Sequence, residues 1–203
     1  MNFDEVAAFT IHDVKNRLTV LAGRAEERGD SETLQGVLEA ASTLTRLLVY
    51  YKAGAGRLAV NIDAHAPTDV ITELCQEITR QTRLGIRAEL GEAPTLWFYD
   101  ESLVRMLLLD ALYNALRHAR QNVVLAARQV DDWLEFSVRD DGPGYPAELL
   151  GRQLAMQPLS REGTGLGLHL AGRIAAFHTN GGQEGHVELA NEGGAVFRLR
   201  LPR

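Results

Sequence analysis

A histidine followed directly by an acidic residue stands near the start of the sequence, at His12 and Asp13. On a helix, the carboxylate of Asp13 can keep one imidazole nitrogen protonated, which leaves the other nitrogen able to act as a nucleophile. Asn16 follows one helical turn later on the same side, where its amide could orient a water molecule or a phosphoryl oxygen. Such a pair is also common on solvated helix surfaces without any chemical role, so this pattern alone leaves both interpretations open.

A second group of polar residues interrupts an otherwise apolar segment at spacings of three and four, and comprises Asp110, Asn114, Arg117 and His118. These spacings place the four side chains on one face of a helix. The amide oxygen of Asn114 is the type of ligand that magnesium accepts, and Arg117 can contact phosphate. The alternative is an ordinary amphipathic helix whose polar face meets water.

Two glycine clusters follow along the chain. The first combines Asp140 with Gly142 and Gly144 directly after a predicted strand. The second opens a predicted helix and comprises Gly163, Thr164, Gly165, Leu166 and Gly167. Glycines allow close backbone approach, and N–H groups at the start of a helix attract anions. Each cluster alone could be a simple turn, so neither identifies a ligand by itself.

The first quarter of the chain predicts two helices. Over residues 3–53, apolar residues recur at spacings of three and four, and the pattern breaks at Gly29 and Asp30. Ser31 is the expected N-cap of the second helix. A hairpin of this size cannot cover the apolar faces of both helices, so we expect two copies to form a homodimeric four-helix bundle.

The remainder mixes helices with strands and hairpins, which predicts an α+β sandwich. A linker is expected over residues 54–66, with a short strand at 58–62. Helices are expected at residues 68–84, 101–118 and 166–177, the second of them capped by Asp100. Strands are expected at residues 86–90, 95–99, 123–128, 133–138, 187–190 and 195–201. Residues 1–55 and 56–203 are therefore expected to form separate domains.

Composition excludes some classes of protein and partner. With 21 basic and 27 acidic residues, the net charge is -6, and the sequence lacks the basic footprint of a nucleic-acid-binding protein. The single cysteine fits a reducing, cytoplasmic location. No apolar run approaches the roughly 20 residues that a membrane-spanning helix needs, so no membrane insertion is expected.

Order and spacing connect these segments. The succession of a histidine–acid pair, an asparagine helix, Asp-x-Gly-x-Gly and Gly-x-Gly-x-Gly resembles the transmitter core of two-component sensor histidine kinases. The ATP-binding half of that core has a Bergerat-type fold and belongs to the superfamily that includes gyrase, Hsp90-type chaperones and MutL-type repair proteins. The resemblance covers nearly the whole chain.

The resemblance implies ATP and Mg²⁺ as ligands and a role for each motif. It makes His12 the phosphoacceptor beside Asp13 and Asn16, places magnesium at Asn114 and puts Arg117 at the phosphates. It assigns Asp140 to the adenine amino group and the second glycine cluster to the phosphates. His12 would pass its phosphoryl group to an aspartate in the receiver domain of a response regulator. The resemblance also implies a homodimer, and a separate protein could act as the sensor.

Three departures from the family pattern leave other functions open. Asp110 stands where the family usually has Asn, and ATPase relatives use Glu there to activate water. The loop between Gly144 and Gly163 is short, and Arg17 replaces a common Pro, which predicts an unkinked first helix. One alternative is a histidine phosphotransferase or response-regulator phosphatase with a weakened nucleotide site. Another is an ATPase or serine kinase that uses Asp110 as a base.

Overall fold

The computed structural model describes residues 3–54, 56, 58–151 and 165–203. It does not describe the side chains of residues 3–9, 12, 35, 39, 50, 54, 165 and 166. Two compact units make up the chain, Met1–Ala59 and Val60–Arg203.

The first unit is a helical hairpin of α1 (Phe3–Glu27) and α2 (Ser31–Gly54). Gly29 makes the turn with a φ of 65°, which glycine adopts without a steric penalty. The predicted cap at Ser31 is wrong, because the Oδ1 of Asp30 accepts the N–H of Thr33 at 3.0 Å. Asp30 is therefore the N-cap and Ser31 is the first helical residue. Helix α1 is continuous over 25 residues, including the position of Arg17.

The hairpin exposes several large apolar side chains on both helices. Their exposed fractions range from 37% to 55%, and they are Val14, Val20, Leu21, Leu38 and Leu47. Two helices bury only the stripe at their mutual contact, so this hairpin presents an apolar surface that it does not cover by itself.

The second unit contains a five-stranded sheet with the spatial order β2-β4-β5-β9-β8. These strands are β2 (Gly85–Glu89), β4 (Asn122–Val130), β5 (Trp133–Asp140), β8 (His186–Asn191) and β9 (Ala195–Pro202). The β2–β4 pair is parallel and the other neighbours are antiparallel. Two small antiparallel pairs accompany the sheet, β1 (Asp63–His65) with β3 (Trp97–Tyr99) and β6 (Thr179–Asn180) with β7 (Gln183–Glu184).

Three helices pack on one face of the sheet: α3 (Pro67–Thr79), α4 (Glu101–His118) and α5 (Gly165–Ala176). Side chains alternate between the two faces of strand β5, and Leu134, Phe136 and Val138 point into the core between the sheet and these helices. The helices cover the apolar face of the sheet for this reason. A 3₁₀ turn at Ala147–Leu149 follows β5. The α+β prediction is confirmed for this unit.

Within the described part of the second unit, the opposite face of the sheet carries charged side chains. Glu135 is only 1% exposed there and accepts hydrogen bonds from Arg128 at 2.6 and 2.8 Å and from Arg200 at 2.8 Å. A cavity of about 340 Å³ on this face is lined by such paired charges. The charged groups of this face therefore satisfy one another within the sheet.

Several predicted boundaries need correction. The strand predicted at residues 58–62 does not form, because the N–H of Asn61 bonds the side chain of Asp100 at 2.8 Å instead of a neighbouring strand. Helix α3 ends at Thr79, earlier than predicted, where Gln81 donates to the carbonyl of Ile78 in a closing turn. The pair β6–β7 was not predicted, since each strand is only two residues long.

Across the part of the chain that is described, no helix combines the length and the apolar character needed to cross a membrane.

Candidate functional site

Helix α4 presents the predicted polar face. Asp100 caps its start by accepting the N–H of Leu103 at 3.0 Å, which fixes the helix register. Asp110 and Asn114 are half-buried, whereas Arg117 and His118 are exposed near the end of the helix. The structure therefore places all four on α4 as predicted, with Asp110 and Asn114 closest to the protein interior.

Asp140 ends β5 with a buried carboxylate that is 5% exposed. Its Oδ1 accepts the N–H of Gly142 at 2.7 Å and that of Ala195 at 3.2 Å. These bonds compensate the burial of the charge and hold Oδ1 in place. With Oδ1 held by the backbone, Oδ2 is the oxygen positioned to accept a further donor, such as an exocyclic amino group.

Two glycines allow the backbone to close around Asp140. A Cβ on Gly142 would lie 2.5 Å from the carbonyl oxygen of His118 and 2.8 Å from the Oδ1 of Asp140. A Cβ on Gly194 would overlap the carbonyl oxygen of Asp140. Any side chain at either position would push the end of α4 or the start of β9 away from the carboxylate.

The side chain of Asp141 binds the loop that follows α4, next to Asp140. Its carboxylate accepts the N–H groups of Arg120, Gln121 and Asn122 at 2.7 to 3.2 Å. The bonds from this loop hold the pKa of Asp141 below its ordinary range. Asp141 thus anchors the loop between α4 and β4, beside the His118 carbonyl that Gly142 approaches.

The backbone after the first glycine cluster is held by Asn191 at the end of β8. Its Oδ1 accepts the N–H of Tyr145 at 2.7 Å, and its Nδ2 donates to the carbonyl of Tyr145 at 2.9 Å. Burial and the nearby charge of Asp140 raise the pKa of the Tyr145 phenol to about 12, and the Asn114 amide acts in the opposite direction. Tyr145 therefore lies close to both predicted ligand residues.

Part of the second glycine cluster lies outside the described residues. Gly163 and Thr164 are not described, and of Gly165 and Leu166 only the backbone is, at the start of α5. Gly167 is exposed, and among the described residues no atom outside its own helix and chain neighbours lies within 4 Å of the position that a Cβ would take. The structure therefore places the end of this cluster in the first turn of α5, as predicted. The short loop expected between the two clusters falls largely on residues 152–164, which are not described.

The histidine–acid motif lies in the first unit. His12 is part of α1, but its side chain lies outside the described part of the chain. Asp13 forms an ion pair with Arg17 at 3.0 Å, and both side chains are at least half exposed. Exposed pairs of this kind contribute little stability, so Asp13 can exchange this partner for another at small cost. Asn16 is exposed one turn further along α1.

Asn114 fits a magnesium ion that is bound mainly through a substrate. In the described ranges, no cluster of three or more His, Cys, Asp or Glu side chains could hold a metal ion. Magnesium usually takes one or two protein oxygens and completes its octahedron with water and phosphate oxygens. The half-buried amide of Asn114 on α4 can supply one such protein oxygen.

Four residues of this site were missed from the sequence: Asp141, Tyr145, Asn191 and Gly194. Their importance depends on long-range contacts, such as the pairing of residue 145 with residue 191, that no local pattern reveals. A weak signal was present in two doublets, Asp140-Asp141 and Gly193-Gly194, at the ends of neighbouring strands.

Comparison with known proteins agrees with this geometry. Residues 99–203 match the family model described as histidine kinase-, DNA gyrase B- and HSP90-like ATPase. The signal transduction histidine-protein kinase AfsQ2 of Streptomyces coelicolor is 32% identical over 181 residues, which cover 86% of this chain and 31% of AfsQ2. The sensor histidine kinase component HK1 of Mycobacterium tuberculosis is 33% identical over 139 residues, covering 65% of this chain and 81% of HK1.

A solved structure extends the similarity to the fold of the second unit. The ATP binding domain of PrrB from Mycobacterium tuberculosis aligns with 70% of this chain and 96% of that domain, at a TM-score of 0.55 and 26% identity. The chain spans only 23% to 36% of the first curated relatives that it matches.

Proposed function

We propose, from the premise that this chain belongs to the histidine kinase-, DNA gyrase B- and HSP90-like ATPase family, that it is an ATP-dependent protein-histidine kinase of two-component signalling. Residues 56–203 bind ATP, and residues 1–55 carry the phosphoacceptor His12. The observation that carries the proposal is the buried carboxylate of Asp140, which is fixed through Oδ1 beside Gly142 and Ala195. That geometry suits recognition of an adenine amino group.

The protein would position the nucleotide through several groups. Asp140 accepts the adenine amino group, while Arg117 and the N–H groups at the start of α5 attract the phosphates. A magnesium ion on the amide oxygen of Asn114 would neutralise charge on the phosphates. Asp110, half-buried one turn before Asn114, would support the metal or its bound water.

The transfer step uses groups of this chain and ATP bound with magnesium. An imidazole nitrogen of His12 attacks the γ-phosphorus in line, and a nitrogen–phosphorus bond forms as the bond to the bridging oxygen breaks. ADP leaves, and the proton on the other imidazole nitrogen is held by Asp13. Positioning and charge neutralisation supply most of the rate. The phosphoryl group then passes to an aspartate of a response-regulator receiver domain.

The same proposal covers assembly and location. The apolar side chains exposed on α1 and α2 would meet those of a second copy, forming a homodimeric four-helix bundle. We place the protein in the cytoplasm, where ATP and response regulators occur.

Labelling with γ-³²P ATP tests the proposal. We expect acid-labile label on the wild-type chain, none on His12→Ala, and unchanged labelling on His186→Ala, which alters an exposed histidine outside the site. Asp140→Asn should weaken binding of ATP by about tenfold or more, because it converts the acceptor of the adenine amino group into an amide. Wild-type protein that binds no nucleotide but accepts phosphate from a phosphorylated regulator would instead be a phosphotransferase or phosphatase.

A further inference from the structure

The loop that follows β5 passes the ends of two other strands. Strand β9 lies between β5 and β8 in the sheet, and Asn191 at the end of β8 pairs with Ala195 at the start of β9. The loop bonds both of these residues, since Asp140 accepts the N–H of Ala195 and Tyr145 bonds the side chain of Asn191. We call residues 140–145 the crossing segment, because they run from β5 past the start of β9 to the end of β8.

Asn191 holds the far end of the crossing segment through its carboxamide. Its Oδ1 accepts the N–H of Tyr145 at 2.7 Å, and its Nδ2 donates to the Tyr145 carbonyl at 2.9 Å. A carboxamide offers an acceptor and a donor as a backbone does, so this two-point contact copies the pairing that a neighbouring strand would give. One side chain from β8 therefore fixes both backbone groups of residue 145.

The crossing segment needs such an anchor because it contains Gly142 and Gly144. Glycine has the freest backbone of all residues, so holding these two in one conformation costs the most conformational entropy. Gly144 has a φ of +87°, and a Cβ there would lie 2.7 Å from the Oδ1 of Asn191. Glycine at position 144 is thus what allows the Asn191 amide to approach the segment so closely.

The position of residue 145 matters for Asp140 at the other end of the crossing segment. The Oδ1 of Asp140 accepts the N–H of Gly142 at 2.7 Å and that of Ala195 at 3.2 Å. Gly142 lies within the crossing segment, so release of the far end would free its N–H to move away from Oδ1. Of these two bonds, the carboxylate would then keep the longer one, and it would be held less firmly.

We propose that Asn191 is a positioning residue that holds the crossing segment in the conformation in which Asp140 accepts the adenine amino group. Asn191 acts through the backbone of residues 142–145. This inference rests on the proposed function, because it requires adenine at Asp140. Asn191 is exposed, so its hydrogen bonds compete with water, and their loss should weaken nucleotide binding without unfolding the second unit.

Calorimetric titration with ADP and with a non-hydrolysable ATP analogue tests this role. Asn191→Ala removes both bonds to Tyr145, whereas Asn191→Asp keeps the size and the acceptor but replaces the donor with an oxygen. Both variants should bind both nucleotides about three- to tenfold more weakly than the wild type. The loss should be equal for ADP and the ATP analogue, because the two molecules share the adenine.

Asn61→Ala is the matched control for these variants. Asn61 is an exposed asparagine of the same unit, and it bonds Asp100 through its backbone N–H, which alanine retains. Its nucleotide affinity should stay within about twofold of the wild type. An equal loss of affinity in this control would show that the effect of the Asn191 variants is not specific to the contact with Tyr145.

A double-mutant cycle with Gly144→Ala distinguishes one shared contact from two independent effects. The added methyl group would displace the Asn191 amide, so Gly144→Ala breaks the same contact from the other side. Its effect on nucleotide affinity should therefore be smaller in the Asn191→Ala background than in the wild type. Additive losses would contradict the inference, because they would show that the two residues act separately.

Other results would also overturn the inference. Unchanged or tighter binding by both Asn191 variants would show that the contact does not position the site. A loss for the ATP analogue with unchanged binding of ADP would place the effect at the terminal phosphate instead of the adenine. Each of these results leaves the proposed function standing, since the wild type still binds nucleotide, whereas a wild-type chain that binds neither nucleotide would overturn both.

Discussion

At the scale of single residues, the close packing around Asp140 depends on two glycines, which have no side chain. Gly142, in the loop after β5, and Gly194, in the turn before β9, both lie close against this residue. Ala195 adds a backbone N–H from the same turn. The carboxylate is therefore fixed by backbone, which cannot rearrange as a side chain can.

Gly194→Ala should disrupt this close packing. The added methyl group would overlap the Asp140 carbonyl, and overpacking of this kind costs about 1–3 kcal/mol of unfolding free energy. Nucleotide affinity should fall in parallel. Denaturant unfolding followed by tryptophan fluorescence reports on the second unit alone, because Trp97 and Trp133 both belong to it.

Gly91→Ala is the matched control for that substitution. Gly91 lies in the same unit, and apart from its chain neighbours no atom of the described residues lies within 4 Å of the position that its added methyl group would take. Equal stability of the two variants would contradict the steric account of Gly194.

Only some of the residues around Asp140 could be predicted from the sequence. Asp140, Gly142 and Gly144 were found because they form a short local pattern with a recognisable order. Gly194 and Asn191 could not be found, since their roles arise only when β8 and β9 bring them beside the loop after β5. Their function depends on sheet register, and register is not encoded in any short window.

At the scale of elements, His178 joins the two helices that carry the site. It follows α5, is 3% exposed, and lies against Asp100 at the start of α4. Its Nε2 accepts the backbone N–H of Asp100 at 3.1 Å, so the ring proton must sit on Nδ1, which faces the carbonyl of Ile174 at 3.0 Å. A neutral imidazole of one tautomer is therefore required to hold α4 and α5 together.

This requirement predicts a pH dependence of stability. Burial lowers the pKa of His178 below its ordinary value of 6.5, with a smaller opposing effect from the backbone contacts and Asp100. The unfolded chain therefore takes up a proton first as pH falls. The stabilising contribution is complete above about pH 6.5 and is lost as the pH falls through the lower pKa of the folded state.

Comparison of wild-type protein with His178→Gln measures that contribution. At pH 7.5 the variant should be less stable by about 1–2 kcal/mol, because glutamine cannot satisfy both backbone groups in the same geometry. The difference in unfolding free energy between the two proteins should shrink toward pH 5. The other histidines contribute equally to both proteins and do not affect this difference. A difference that is constant over this range would disprove the linkage.

The elements themselves were largely predictable. Helix α4 was predicted at its observed bounds, because a capping Asp and a long apolar period coincide there. The first strand was misplaced to residues 58–62, since the side chain of Asp100 captures the N–H of Asn61 from 39 positions away. Short strands such as β6 and β7 have too few residues to produce a periodic signal.

At the scale of the whole molecule, the proposed homodimer can be tested on the exposed apolar surface of the hairpin. Leu21→Glu would place a charge there in both copies of a symmetric interface, so the dimer dissociation constant should rise at least about tenfold. Sedimentation velocity over a concentration series measures the change.

Leu96→Glu provides the control, because Leu96 is 58% exposed but belongs to the second unit. It should leave the association unchanged. Equal dissociation by both variants, or a wild-type chain that is monomeric at every concentration, would contradict assembly through the helices.

The position of β9 has a consequence for how the protein is made. This strand, Ala195–Pro202, lies between β5 and β8 in the sheet although it follows both in the chain. During translation, β8 has no strand to join until β9 has been synthesised, and Asp140 lacks its bond from Ala195 until then. A ribosome-bound nascent chain halted before residue 195 should therefore be unable to hold nucleotide, however completely its helices have formed.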